Sequence, residues 1–325
     1  MIVTLTAEAE PAAVRRALAG RGLWVRRLEA GGRVQFYVEP GSARVDAESL
    51  RGIAGVAAVA EEPTRHPRVD AQPGVVEVGG VSVGSGAPVL MAGPCSVESE
   101  AQIHEVAGHL AALGVTFLRG GAFKTRTSPY SFQGHGEPAL TWLREAADAS
   151  GLNVVTEVLS PERVPLLAPM TDLIQIGSRN MQNSALLEAA AAEEKPILLK
   201  RGMAATIEEW LLAGEHCLVH GAPAVVFCER GIRSFDSSTR NLLDLGAVAL
   251  LARVHGLPVI VDPSHATGRR DLLLPLSRAA VAAGAAGVMV ETHPDPGSAL
   301  SDGSQALPLE AFAELARAVL AEGSP

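Results

Sequence analysis

From residue 88 onward the chain alternates short apolar runs with longer Ala/Leu-rich segments, and that alternation leaves few folds open to it. The apolar runs fall at 89–92, 116–119, 153–158, 173–177, 196–200, 224–228, 258–262 and 287–291. Helical patterns occupy 99–113, 138–150, 184–194, 207–217, 240–255, 270–283 and 309–321. Uninterrupted β-branched runs, rather than an apolar/polar alternation, mark parallel strands covered on both faces. Eight such units between residues 88 and 321 predict an α/β fold, a (β/α)8 TIM barrel. A doubly wound open sheet is the competitor. It needs a glycine-rich phosphate turn after its first strand, whereas Pro94 is followed here by Cys95-Ser96.

Residues 1–65 predict a small α+β domain of their own. Strand-like runs at 2–6, 23–28, 33–38 and 56–60 surround a helix at 11–20 and a second, capped by Asp46, ending at Arg51. The order βαββαβ is ferredoxin-like. Arg15, Arg16, Arg26 and Arg27 read as solvated faces, and no catalytic cluster is visible. A linker over 62–68 and a short hairpin over 75–83, turned by Gly79-Gly80, open the barrel domain, 66–325.

Composition excludes several functions. A formal net charge of -9 argues against a nucleic-acid surface. No apolar stretch is long enough to span a membrane, and the N-terminus lacks a secretory signal pattern. Cys95, Cys217 and Cys228 build no disulfide framework, which predicts a cytoplasmic protein. Of the 27 Lys and Arg residues only three are lysine: Lys124, Lys195 and Lys200. Arginine does not release a proton near neutral pH, whereas a lysine ammonium can.

Reactive side chains gather at the C-terminal ends of the predicted strands, the rim on which such barrels carry their chemistry. Strands 7, 8 and 1 are neighbours in a closed barrel, so Cys95, His265, Glu291 and Asp302 converge there. Singly, each has an ordinary role, as a small core residue, a satisfied loop histidine or helix-capping acids. Together, one thiol, one imidazole and two carboxylates suit a divalent transition metal. Asp262 and His293 are placed to orient those ligands. On the other half of the rim stand Arg119, Lys124, Arg126, Arg179, Lys200 and Arg230. That many cations need anions among them, and guanidinium forks match phosphate and carboxylate oxygens. The outline is a site for phosphorylated, carboxylated substrates beside a metal.

The stretches GPCSVES, RGGAFKTRTSPYSFQGHG, QIGSRNMQN, LLKRGM, CERGIRSFDSSTRN, VDPSHATGRRD and VETHPDP with ALSDGSQAL occur in order at the strand ends. They resemble the 3-deoxy-D-arabino-heptulosonate-7-phosphate (DAHP) synthases, specifically the type I-beta group with an N-terminal ferredoxin-like (ACT-like) domain. The resemblance covers 70–321 by motif and 1–65 by pattern. It departs from the family at one place, where KPRTS is spelled KTRTS, so that Thr125 replaces a proline and its φ restraint.

The resemblance implies a transferase, 3-deoxy-7-phosphoheptulonate synthase, opening the shikimate pathway of aromatic amino-acid biosynthesis. Phosphoenolpyruvate, D-erythrose 4-phosphate and water would give the seven-carbon sugar acid phosphate and phosphate. By motif, Cys95, His265, Glu291 and Asp302 would hold a divalent metal, Mn, Fe, Co or Zn. Arg119, Lys124, Arg179, Lys200 and Arg230 would bind phosphoenolpyruvate, and Arg126, Thr127 and Ser178 the erythrose 4-phosphate phosphate. The expected catalytic residues are Lys124 as proton donor and Glu157 as partner of the attacking water, with Cys95 and His265 acting through the metal. Residues 1–65 would bind tyrosine or phenylalanine as feedback effector, in a homo-oligomer, dimer or tetramer. The alternatives are a 3-deoxy-octulosonate-phosphate synthase using arabinose 5-phosphate, whose loop reads KANRSS, and a regulatory barrel without activity.

Overall fold

The computed structural model describes residues 1–124, 128 and 130–321, and the chain divides into two compact units, Met1–Arg65 and His66–Pro325. Unit one runs β1 (Ile2–Leu5), α1 (Pro11–Ala19), β2 (Val25–Ala30), β3 (Arg33–Val38), α2 (Ala47–Arg51) and β4 (Val56–Ala60). Its antiparallel sheet has the order β2-β3-β1-β4, which the βαββαβ reading requires. Asp46 caps α2 through the amides of Glu48 and Ser49. Val3, Leu5, Val14, Leu18, Phe36 and Leu50 form a core belonging to this unit alone.

Unit two opens with α3 (Pro67–Ala71) and a hairpin of β5 (Val76–Val78) and β6 (Val81–Val83). Then follow β7 (Val89–Gly93), α4 (Glu100–Ala112), β8 (Phe117–Arg119), α5 (Glu137–Ser150) and β9 (Asn153–Val158). Next come α6 (Val164–Leu167), β10 (Leu173–Ile176), α7 (Ser184–Ala191), β11 (Ile197–Lys200), α8 (Ile207–Val219) and β12 (Val225–Glu229). The last elements are α9 (Leu245–Ala249), β13 (Val259–Val261), α10 (Pro263–Thr267), α11 (Leu273–Ala283), β14 (Gly287–Glu291) and α12 (Leu309–Ala321).

The eight parallel strands close into a barrel, with β14 paired to β7 from Gly287↔Val89 to Glu291↔Gly93. Alternate residues serve two different cores, because successive side chains leave opposite faces of a strand. On β14, Met289 points into the barrel with Met91, Phe117, Leu198 and Ile260. Val288 and Val290 face the surrounding helices. Val76, Val78 and Val83 of the hairpin join the interior cluster and fill the end of the barrel opposite the rim. Burial on both faces is therefore why these strands show no polar alternation in sequence.

The segment expected to be helical over 240–255 forms a helix only from Leu245. Leu242 pairs with Ile232 through both backbone bonds, at 2.9 Å each, and Asp244 then caps α9 through the Ala247 amide. Its final turn, Leu250–His255, is a wider π turn. Between β9 and β10 only short helical pieces form, α6 among them, each with a proline in its first turn: Pro161, Pro165 and Pro169. Among the described residues no helix is long and apolar enough to cross a membrane.

Candidate active site

A cavity of about 510 Å³ opens at the C-terminal rim of the barrel. Among the described residues its walls carry six cations, Arg119, Lys124, Arg179, Lys200, Arg230 and Arg240, against two carboxylates, Glu157 and Asp302. Ser178 and His265 line it as well. The structure thus brings together every expected substrate-binding residue except Arg126 and Thr127, which, like Thr125, lie outside the described residues.

Strand alternation decides which charged neighbour faces the cavity. Lys200 lines it, whereas the next residue, Arg201, is buried behind, bound to Glu229 at 3.1 Å and Asp244 at 2.9 Å. On β12 the order reverses: Glu229 turns away and accepts from the Gly231 amide, while Arg230 enters the cavity. Burial raises the Glu229 pKa, and the Arg201 pair and the Gly231 amide oppose that rise. Burial also lowers the Arg230 pKa, as expected for a desolvated cation awaiting an anion. Arg119 Nε is buried without a hydrogen-bond partner, although its Nη1 donates to Pro94 O at 2.7 Å and to Glu291 Oε1 at 3.1 Å.

On the β13-β14-β7 side, Cys95, Glu291 and Asp302 present donor atoms that all lie within 4.8 Å of one another. Cys95 Sγ is 3.0 Å from Asp302 Oδ2, and His265 Nε2 is 3.3 Å from Glu291 Oε1. Asp302 adopts a left-handed backbone, φ 50, a strained setting that a non-glycine residue keeps only where its surroundings demand it. Burial pushes the Cys95 thiol up to about 12, with Glu291 and Asp302 adding to the rise. Glu291 behaves oppositely. Burial would raise its pKa, but His265, Arg119 and Lys124 together hold it below the usual carboxylate value.

Asp262 orients His265, as expected: its carboxylate accepts from His265 Nδ1 at 2.7 Å and from the His265 amide at 3.0 Å. It also pairs with Lys200. Although burial would raise its pKa, His265 and Lys200 hold the carboxyl well below the usual range. His265 Nδ1 is thereby kept as a proton donor and Nε2 as a ligand atom, the arrangement that metal-binding imidazoles use. His293 does not take the same part. Its Nε2 lies 3.4 Å from Glu98 and its Nδ1 accepts from the Asp295 amide, because the residue two beyond Glu291 sits on a loop rather than on the strand.

The donor set fits a divalent transition metal: a buried thiol, an imidazole with its second nitrogen tied down, and two carboxylates, of which Glu291 is held ionised by neighbouring cations. Gln305 is a partner that sequence reasoning did not find; its amide donates to Glu291 Oε2. Only its position in the ALSDGSQAL stretch marked it. Removing that bond in Gln305→Leu is expected to weaken metal affinity by about 10–100-fold with the fold intact. Metal content after dialysis measures it.

Lys124 bridges the two halves of the site, its Nζ donating to Cys95 O at 2.8 Å. Gly121 permits this closeness, since a Cβ there would stand 2.8 Å from both Cys95 O and Lys124 Cδ, and two further glycines leave room on the rim. A Cβ on Gly93 would stand 2.0 Å from Arg119 O, and one on Gly177 would stand 1.9 Å from Glu157 Oε1. Glu157 thus lies over bare backbone, with Gln175 Nε2 donating to its other oxygen at 3.3 Å. Arg240, 3.9 Å from Asp302 Oδ1, and Asn241, which donates to His265 O at 3.2 Å, were also missed. The helical reading of 240–255 concealed both.

Comparisons with known proteins bear on the family and the fold. Residues 60–322 match the family described as the DAHP synthetase I family. A phospho-2-dehydro-3-deoxyheptonate aldolase of Thermotoga maritima is 54% identical over 241 residues, covering 74% of this chain and 71% of that protein. A 2-dehydro-3-deoxyphosphooctonate aldolase of Nitrobacter hamburgensis is 36% identical over 268 residues, covering 76% of this chain and 92% of its own. The crystal structure of the Thermotoga maritima DAHP synthase superposes with a TM-score of 0.76 at 43% identity, covering 97% of this chain and 95% of that one. A truncated form of the Thermotoga maritima enzyme covers 76% of this chain, with a TM-score of 0.71 and 48% identity.

Proposed function

The chain belongs to the DAHP synthetase I family, and from that premise we infer that it condenses phosphoenolpyruvate with D-erythrose 4-phosphate. Water is consumed, and 3-deoxy-D-arabino-heptulosonate 7-phosphate and inorganic phosphate are released. The observation that carries this reading is a cavity lined by six cations beside a cluster of Cys95, Glu291 and Asp302, with His265 3.3 Å from Glu291.

Arg119, Lys200, Arg179 and Arg230 are assigned to the phosphate and carboxylate of phosphoenolpyruvate, for which bidentate and point-charge donors at the cavity wall are suited. Ser178, with Arg126 and Thr127, is assigned to the phosphate of the sugar. Cys95, His265, Glu291 and Asp302 are the residues that would hold a divalent metal, Mn, Fe, Co or Zn. When bound, such an ion supplies Lewis-acid polarisation of the aldehyde oxygen.

C3 of phosphoenolpyruvate attacks the aldehyde carbon, and the new C–C bond leaves an alkoxide and a cationic centre at C2. Lys124 gives its proton to the alkoxide, from a position beside the Cys95 carbonyl. Water adds to C2, oriented by Glu157, which Gln175 steadies. The resulting hemiketal phosphate loses inorganic phosphate by C–O cleavage and becomes the ketone.

Supplying erythrose 4-phosphate or arabinose 5-phosphate with phosphoenolpyruvate and following loss of the enol absorbance tests the reading. Condensation with erythrose 4-phosphate is expected; preference for the pentose phosphate would move the chain to the octulosonate reaction of its 36%-identical relatives.

Residues 1–65 are assigned a feedback role toward tyrosine or phenylalanine. Their own core and a cavity of about 550 Å³ edged by Arg15 and by the Arg26–Glu39 ion pair support it, a pair that an amino acid's carboxylate and ammonium would exchange with. A chain shortened to begin at His66 is expected to keep condensing activity and to lose inhibition by these amino acids. Equal inhibition of both forms would refute the assignment.

A further inference from the structure

Outside the catalytic rim, Glu188 of α7 and His216 and His220 of α8 form a second group of metal-type donors, all exposed and with ligand atoms within 4.8 Å of one another. The two histidines are four residues apart and so share one face of α8. Their rings stack at 5.6 Å with an interplanar angle of 12°. Glu188 reaches the pair from the adjacent helix.

The hydrogen bonding selects a ligand state. His220 Nδ1 lies 2.8 Å from the His216 carbonyl, which can only accept, so Nδ1 carries the proton. In the neutral ring Nε2 therefore presents its lone pair. It faces Glu188 Oε1 at 3.8 Å, beyond hydrogen-bond distance. With the ring neutral, that nitrogen, the Glu188 carboxylate and a nitrogen of His216 converge on a gap that a cation can bridge. A backbone carbonyl fixing the tautomer from behind is the usual support of a metal-bound imidazole. Donor atoms about 3.4 Å apart suit a tetrahedral ion with bonds of about 2.1 Å. The donors here lie within 4.8 Å of one another, so binding would draw them together.

We propose that Glu188, His216 and His220 form a surface site for a borderline transition-metal ion such as Zn²⁺, Cu²⁺ or Ni²⁺, separate from the catalytic centre. Nitrogen-rich ligation favours these ions over Mg²⁺ or Ca²⁺. It also predicts that metal uptake by this protein exceeds one ion per chain, so that bound metal alone does not report catalytic occupancy.

The test is equilibrium dialysis of the full chain against Zn²⁺, with elemental analysis of the ions bound. Two per chain are expected for the wild type and one for the His216→Ala/His220→Ala variant, whose condensing activity should match wild type. Cys95→Ala should keep the surface ion, and Glu188→Gln should weaken that ion at least ~10-fold. A wild type that takes up one ion, or a double variant that binds as many as the wild type, overturns the proposal. All three side chains are exposed, so loss of binding in these variants is not loss of folding.

Discussion

Lys124→Arg is expected to bind phosphoenolpyruvate almost as well as wild type while turnover falls roughly 10²–10⁴-fold, the range of a lost general acid. The charge survives the substitution, so the anion keeps its partner. The transferable proton does not, because a guanidinium stays protonated through the working range. Position sharpens the expectation: Nζ sits 2.8 Å from the carbonyl of Cys95, between the cation cluster and the metal-type donors. Calorimetric titration with phosphoenolpyruvate, set beside kcat, separates the two effects. Turnover within a few-fold of wild type would remove Lys124 from proton transfer, and equal loss of binding and turnover would make it only an anchor.

Cys95→Ala is expected to lower affinity at the proposed catalytic metal site by at least ~100-fold, since one of its four proposed donors, and the only sulfur among them, is lost. Activity should fall with it and return in part at high metal concentration. The metal-free fold should tolerate the change. With its pKa pushed up to about 12 the buried thiol is neutral there, so no charge is removed. Melting without metal, compared with melting in its presence, reads this directly: the metal-dependent rise should shrink in the variant. Metal content is cleanest in a His216→Ala/His220→Ala background. A variant that retains wild-type affinity at the catalytic site would remove Cys95 from the ligand set. Chelation of the wild type should reproduce the loss of activity.

Most of the barrel was readable without coordinates. Eight apolar runs, too short for helices and unbroken by polar alternation, admitted few other folds, and the observed strands fall within a residue or two of them. The misreadings were local. Residues 240–244 carry helix-compatible side chains, yet backbone pairing of Leu242 with Ile232 holds the chain extended and aims Arg240 at the cavity. Gln305 had no spacing signal at all, because its meaning is a single contact with a residue fourteen positions away. His293 looked like a partner of the metal ligands by proximity in sequence, but its ring pairs with Glu98 instead.

By itself, then, the sequence determined the order and length of the barrel strands, the ferredoxin-like pattern of residues 1–65 and the gathering of reactive side chains on one rim. Those follow from periodicity and from short-range rules that each segment obeys alone. Tertiary structure alone decided where the neighbouring charges are tied back, Arg201 to Glu229 and Asp244, and Glu229 to the Gly231 amide. It alone also decided that His265 turns Nδ1 to Asp262 and Nε2 to Glu291. The physical reason is the same in both cases: a side chain's direction and protonation are set by partners across the barrel, and the Asp262 carboxylate that ties down His265 and Lys200 together exists as a partner only once the strands have closed.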